Sequence, residues 1–149
     1  MRQFSDYTCG TIAAFHVLAN LVKDNPDLIA KDSTLAKFYE TTKNSSPEER
    51  GRHFKRNENV ESAHKQAASE GQTAVEADIN THFIAFVEVD GCLYELDGRK
   101  ATPINHGECR GMDLLPKSCE IINKFMARDP EEMKFTIMAL ADANAECYF

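Results

Sequence analysis

The apolar positions of this chain change period part-way along it. Over residues 9–23, Ile12, Phe15, His16, Ala19 and Val22 recur at helical spacing, and Asn25-Pro26 stops the run. Asp32-Ser33-Thr34 offers an N-cap ahead of Leu35, Phe38 and Tyr39, which predicts a short second helix to about Lys43. Ser46-Pro47-Glu48-Glu49 is a stronger start signal, with Ser46 as N-cap, Pro47 in the first helical position and Glu49 as the reciprocal cap. It predicts a third helix over 47–56. Asn57 then caps a fourth, with Val60, Ala63, His64 and Ala67 on one face, ending near Gly71. Residues 71–80 are small and polar with little periodicity and read as a surface loop of the kind that gates access to a site.

The pattern then becomes that of strands. Residues 82–89 (HFIAFVEV) are apolar, Asp90-Gly91 is a favoured two-residue hairpin turn, and residues 92–96 form the return strand. Asp97-Gly98-Arg99-Lys100 is a second turn, and 101–105 a third short strand. Residues 106–111 read as loop and 114–127 as helix, with Pro116 tolerable in its first turn. Asp129-Pro130 ends that helix, and residues 134–140 (KFTIMAL) read as a closing strand. The expected fold is α+β: leading helices, an antiparallel meander, a helix and a last strand.

The chain of 149 residues suits one domain, 1–149, and its 42% hydrophobic and 28% charged residues are ordinary for a soluble core. No run of 18 apolar residues predicts a membrane span, and Met1-Arg2-Gln3 leads straight into polar residues rather than a secretory leader. A net charge of −7, with no undiluted basic cluster, argues against nucleic acid as a partner and suits a basic protein or peptide. The five cysteines include no CxxC pair, which speaks against a zinc site or disulfide scaffold and for a reducing compartment, cytoplasm or nucleus.

One of these thiols stands apart. Cys9 opens the first helix, where unpaired N–H groups and the macrodipole favour a negative charge. Gly10 leaves room for a substrate carbonyl, and Gln3 lies six residues upstream. His82 begins the first strand and Asp97 ends the second. With the turn at 90 and 91, strand partners sum to about 181, which brings His82 and Asp97 to the same end of the ladder. Asp97 can then fix the imidazole tautomer while the other nitrogen faces the sulfur. Gln3 and the Cys9 N–H can donate to a developing oxyanion, such a donor being worth about 3 kcal/mol of barrier. The order Gln, Cys, His, Asp points to papain-like thiol hydrolysis.

Each piece alone has a plainer meaning. A cysteine before a helix is commonly a small buried apolar residue, and Asp-Gly is commonly just a turn. Only the joint arrangement carries the chemistry. Of the other histidines, His16 falls on an apolar face and reads as a hydrogen-bonded core residue. His53 and His64 fall on charged helices and read as solvated, and His106 follows a strand. No pair has convincing metal-ligand spacing, so neither metal nor cofactor is expected.

The chain resembles the ubiquitin C-terminal hydrolases, papain-like cysteine peptidases of the small single-domain type. Residues 3–20, with Cys9-Gly10-Thr11-Ile12, are similar to the family's nucleophile segment. Ser46-Pro47-Glu48-Glu49-Arg50 and Glu70-Gly71-Gln72-Thr73 resemble its loop-to-helix segment and the start of its crossover loop. Residues 82–86, 89–91 and 93–100 resemble its catalytic His and Asp segment, continued by Pro103-Ile104-Asn105-His106-Gly107.

The resemblance implies hydrolysis of bonds after the C-terminal glycine of ubiquitin or a ubiquitin-like protein. It implies Cys9 as nucleophile, His82 as general base, Asp97 as its orienter and Gln3 as oxyanion donor. Asn80, Thr81 and Phe135 match positions on the substrate-facing side, and residues 60–80 would arch over the cleft. A monomer is expected. The region that precedes the Gln in the family has no counterpart here, so a core strand and its helices are expected to be missing. Two readings therefore stay open: an active thiol hydrolase, and a truncated ubiquitin-binding protein that turns over weakly or not at all. A general papain-type protease is disfavoured by the crossover-loop resemblance.

Overall fold

The structure is a computed structural model that describes residues 1–5, 7–70 and 81–141. The loop expected over 71–80, Asn80 included, lies outside the described residues. Helices come first: α1 (Cys9–Asp24), a 3₁₀ turn (Pro26–Leu28), α2 (Thr34–Thr42), α3 (Pro47–Arg56) and α4 (Glu58–Glu70). A meander of β1 (Ala85–Val89), β2 (Cys92–Leu96) and β3 (Ile104–Glu108) follows, then a second 3₁₀ turn (Gly111–Asp113) and α5 (Leu114–Met126). The fold is α+β, as the change of period predicts.

Local chemistry explains the helix starts. The capping box of α3 is complete: Ser46 N–H donates to Glu49 Oε2 at 2.9 Å and Glu49 N–H to Ser46 Oγ at 3.3 Å. Ser33 Oγ accepts from Ala36 N–H at 3.1 Å to cap α2. Asn57 Oδ1 accepts from Asn59 and Val60 N–H at 3.1 and 3.2 Å ahead of α4. The helical layer closes on three aromatic rings, Phe15, Phe38 and Phe54, in edge-to-face contact at 5.2, 5.5 and 5.9 Å between centroids. Ile12 and Val60 complete this buried cluster.

The sheet is antiparallel with order β1-β2-β3. The hairpin turns at Asp90 and Gly91, both at positive φ (50° and 77°), and its register pairs Ala85 with Leu96 and Val89 with Cys92. Ala85 and Val87 are buried on one face of the hairpin, Leu93 and Glu95 on the other. Helix α1 packs against β1, and α5 against β1 and β2.

Three strand expectations need correction. The first strand was expected from residue 82, yet the ladder starts at Ala85. The partner backbone at 98 and 99 is already taken: Gly98 O accepts from Gln3 N–H and Arg99 O from the Arg2 guanidinium. The third strand was expected over 101–105 but runs Ile104–Glu108, because Pro103 has no N–H to give a ladder. His106 and Gly107, expected in a loop, are therefore in the strand, at the bulge between the Tyr94–Asn105 and Cys92–Glu108 pairs. Residues 134–140 form no strand. Extended chain has no hydrogen bonds of its own and needs a neighbour. This segment has no ladder among the described residues, and Met133, Met138 and Leu140 are exposed.

His16 is in the core, as expected, with Nε2 2.7 Å from the Met1 amino group. Burial, then the charges of that amino group and of Arg50, push its pKa down to about 4. Unfolded, the ring titrates near 6.5, so protons favour the unfolded chain. The stability conferred by the neutral ring is whole above pH 6.5 and is lost as pH falls toward about 4. A shift of this size is worth on the order of 3 kcal/mol. Urea denaturation at intervals between pH 7 and 4 should show this decline, and His16→Gln should flatten it; an equal slope in the variant would remove His16 as its source.

Candidate active site

Cys9 is the first residue of α1 and is half-buried with a free thiol. The chain reaches it through Tyr7, an exposed residue held at φ 60°, a left-handed conformation uncommon without glycine. Thr8, the N-cap, does not cap: its hydroxyl turns back to donate to Ser5 O at 2.9 Å. Among the described residues no side chain caps the first turn of α1, whose N–H groups favour an anion. Gly10 faces the ring of Phe83, and a Cβ at residue 10 would stand 3.6 Å from Phe83 Cδ2. The helix start thus lies against the residue that follows His82.

His82 and Asp97 meet at the end of the hairpin away from its turn. His82 Nε2 lies 2.7 Å from Asp97 Oδ1, with both side chains largely shielded from solvent. The same oxygen accepts from Arg99 N–H at 2.8 Å. Burial pushes the Asp97 carboxyl up, but the His82 hydrogen bond, the Arg99 N–H and the charges of His82 and Lys100 outweigh it and hold the group below the usual carboxylate range. A carboxylate only accepts, so in the neutral ring Nε2 carries the proton and Nδ1 the lone pair. Nδ1 is buried and, among the described residues, makes no hydrogen bond, the Cys9 thiol included. Such contacts often tighten only when substrate is bound.

Gln3 reaches the same end of the sheet. Its N–H donates to Gly98 O at 2.8 Å, and its Nε2 donates to Ser5 O at 3.0 Å, beside the Thr8 bond. Among the described residues one N–H of the amide remains to give, and buried Oε1 has no partner. Thr81 is exposed just before His82, and Phe135 lies in the exposed segment after α5 rather than on an element carrying the other groups.

Two arrangements escape sequence reasoning. Glu95 is buried, with its carboxylate held by Lys100 Nζ and by His106 Nε2 at 3.0 Å, which fastens β2, the following turn and β3 together. Its inward register on β2 was the available signal. His64 is not simply solvated: its Nδ1 lies 2.8 Å from Thr11 Oγ1, which ties α4 to the first turn of α1. Among the described residues no cluster of three His, Cys, Asp or Glu side chains could hold a metal ion.

The family model for ubiquitin carboxyl-terminal hydrolases, family 1, matches residues 1–127. This chain belongs to that family. A ubiquitin carboxyl-terminal hydrolase of Drosophila melanogaster is 42% identical over 146 residues, which cover 97% of this chain and 63% of the fly protein. Ubiquitin carboxyl-terminal hydrolase isozyme L1 of Homo sapiens is 39% identical over 145 residues, covering 96% and 63%. The chain thus spans somewhat under two-thirds of these curated relatives. Trichinella spiralis UCH37, solved bound to ubiquitin vinyl methyl ester, superposes with a TM-score of 0.65 at 25% identity, covering 89% of this chain and 53% of that one. The UCH37 catalytic domain gives 0.69 at 24% identity, covering 89% and 58%, a likeness of fold.

The site generates a test that needs no substrate. Iodoacetamide modification of Cys9 at neutral pH, followed on its peptide by mass spectrometry, should slow about 10-fold in His82→Ala. The exposed His53→Ala should leave it unchanged. Equal rates in parent and His82→Ala would put the imidazole out of reach of the sulfur.

Proposed function

We propose that this member of the ubiquitin carboxyl-terminal hydrolase family is a thiol hydrolase that cleaves ester, thioester or amide bonds after the C-terminal glycine of ubiquitin. The observation that carries the reading is the His82–Asp97 pair, whose unpaired Nδ1 lies at the end of the sheet against which the Cys9 helix begins. His82 Nδ1 takes the Cys9 proton as the sulfur attacks the glycine carbonyl carbon. The oxyanion accepts from the Cys9 N–H and the remaining Gln3 side-chain N–H. The imidazolium returns its proton to the leaving amine, alcohol or thiol, and the carbonyl reforms as a thioester. His82 then draws a proton from water, whose oxygen adds to the thioester carbon, and the thiol departs with that proton. A net charge of −7 suits a basic modifier tail. Thr81 and Phe135 belong to the substrate-facing side in this proposal. The four described cysteines are free, in keeping with a cytoplasmic or nuclear location.

A second reading is a ubiquitin binder without turnover. It is favoured by the exposed apolar segment at 133–140 and by the lack, among the described residues, of a hydrogen bond between the Cys9 thiol and Nδ1.

Ubiquitin vinyl methyl ester separates the two. The hydrolase reading predicts one covalent adduct at Cys9, absent in Cys9→Ser, and turnover of a fluorogenic ubiquitin amide that vanishes in Cys9→Ala while ubiquitin affinity stays within a few-fold. Binding without adduct would support the second reading. Asp97→Asn should lower kcat by roughly 10³- to 10⁴-fold through the wrong tautomer; a variant as fast as the parent would take Asp97 out of the site.

A further inference from the structure

Two groups with separate tasks meet at Gly98. Residue 97 supplies the carboxylate that orients His82, and residue 3 supplies the amide assigned to the oxyanion. Between them, Gln3 N–H donates to Gly98 O at 2.8 Å, while the Arg2 guanidinium donates to Arg99 O at 2.7 Å. The first residues of the chain therefore lie along the 97–100 turn at closer range than a side chain at 98 permits. A Cβ on Gly98 would stand 2.9 Å from Gln3 Cβ, 3.3 Å from Ile12 Cγ2 and 3.4 Å from Gln3 Oε1. The backbone angle at Gly98 is outside the left-handed region, so what the glycine supplies is space.

Neither neighbour yields easily. Ile12 is 2% exposed and sits in the aromatic cluster, within the first turns of the helix that Cys9 opens. Residues 2 and 3 are pinned from the far side as well: Arg2 N–H donates to Pro47 O at 2.9 Å, and Gly51 of α3 comes so near that a Cβ there would stand 2.1 Å from Arg2 O. The segment is held between two glycines, and a methyl at 98 must displace Gln3. The amide of Gln3 is held through its bond to Ser5 O, so displacing its Cβ moves the amide out of that position.

We propose that Gly98 is a positioning residue of the hydrolytic site, whose missing side chain lets the oxyanion glutamine dock on the same turn that carries the orienting aspartate. Both halves of the site are then set by one backbone contact. This rests on the thiol-hydrolase reading above.

The test is Gly98→Ala, assayed with a fluorogenic ubiquitin amide and by hydrogen exchange of the Gln3 backbone amide. The expected result is a kcat about 10²-fold lower, the loss typical of one oxyanion donor, with KM within a few-fold. Gln3→Ala should lose a similar factor, and the double variant should fall little below Gln3→Ala, because the donor is already gone. Exchange at the Gln3 amide should quicken in Gly98→Ala while the amides of β1 keep their protection. A merely destabilising change would instead multiply with Gln3→Ala and loosen β1 too, and that result overturns the proposal. So does unchanged turnover with unchanged exchange. If Gly98→Ala does not fold, the pair Gln3→Gly with Gly98→Ala removes the struck Cβ and should fold; a pair that stays unfolded also overturns it. A parent without turnover sinks the hydrolase reading alone, and the exchange comparison still decides whether Gly98 docks Gln3.

Discussion

A carboxylate can only accept hydrogen bonds, and that constraint organises the candidate site. The 2.7 Å contact between Asp97 Oδ1 and His82 Nε2 decides which imidazole nitrogen holds the proton and which offers a lone pair. It orients the ring, joins the Arg99 N–H and the charges of His82 and Lys100 in holding Asp97 ionised against its burial, and leaves Nδ1 buried with no partner among the described residues. An unpaired buried acceptor costs on the order of 1–3 kcal/mol. At Nδ1 that cost is borne where a thiol proton would be received.

The fold delivers this contact through register. A two-residue turn at Asp90 and Gly91 fixes β1 against β2, and nothing in the hairpin can slip without turning buried Val87 and Leu93 to the wrong faces. His82 and Asp97 continue the two strands beyond the ladder. The backbone at 98 and 99 is engaged by residues 2 and 3 instead, so the frayed strand end becomes the place where the N-terminal segment docks. Buried Glu95, gripped by Lys100 and His106, stiffens the same turn from the other side. The helical layer brings the first turn of α1, uncapped by Thr8, against Phe83.

Much of this was legible in the chain. Helix starts were readable because Ser33, Ser46 and Asn57 are local signals whose partners lie two or three residues away. The hairpin was readable because Asp-Gly dictates its turn and thereby the register, which placed His82 and Asp97 at the same end of the sheet. The failures are all non-local. The early stop of β1 depends on Arg2 and Gln3 arriving from the far end of the chain. The shift of β3 depends on a missing donor at Pro103 and on a bulge. Residues 134–140 have strand composition, but a strand exists only with a neighbour, and sequence pattern does not supply one. His64 looked solvated because the Thr11 hydroxyl that meets it belongs to another helix. The space required at Gly98 is invisible to any local reading, since Asp-Gly there looks like an ordinary turn.

The central claim is a statement about one proton. Nitrogen NMR of the His82 ring in Cys9→Ala, where no thiolate competes, reads the tautomer directly once the ring is neutral. The account predicts the Nε2–H form, with a bare Nδ1 and a proton shared toward Asp97. A neutral ring protonated on Nδ1 would mean that the carboxylate does not hold the imidazole, and the site as described would have no base aimed at the sulfur.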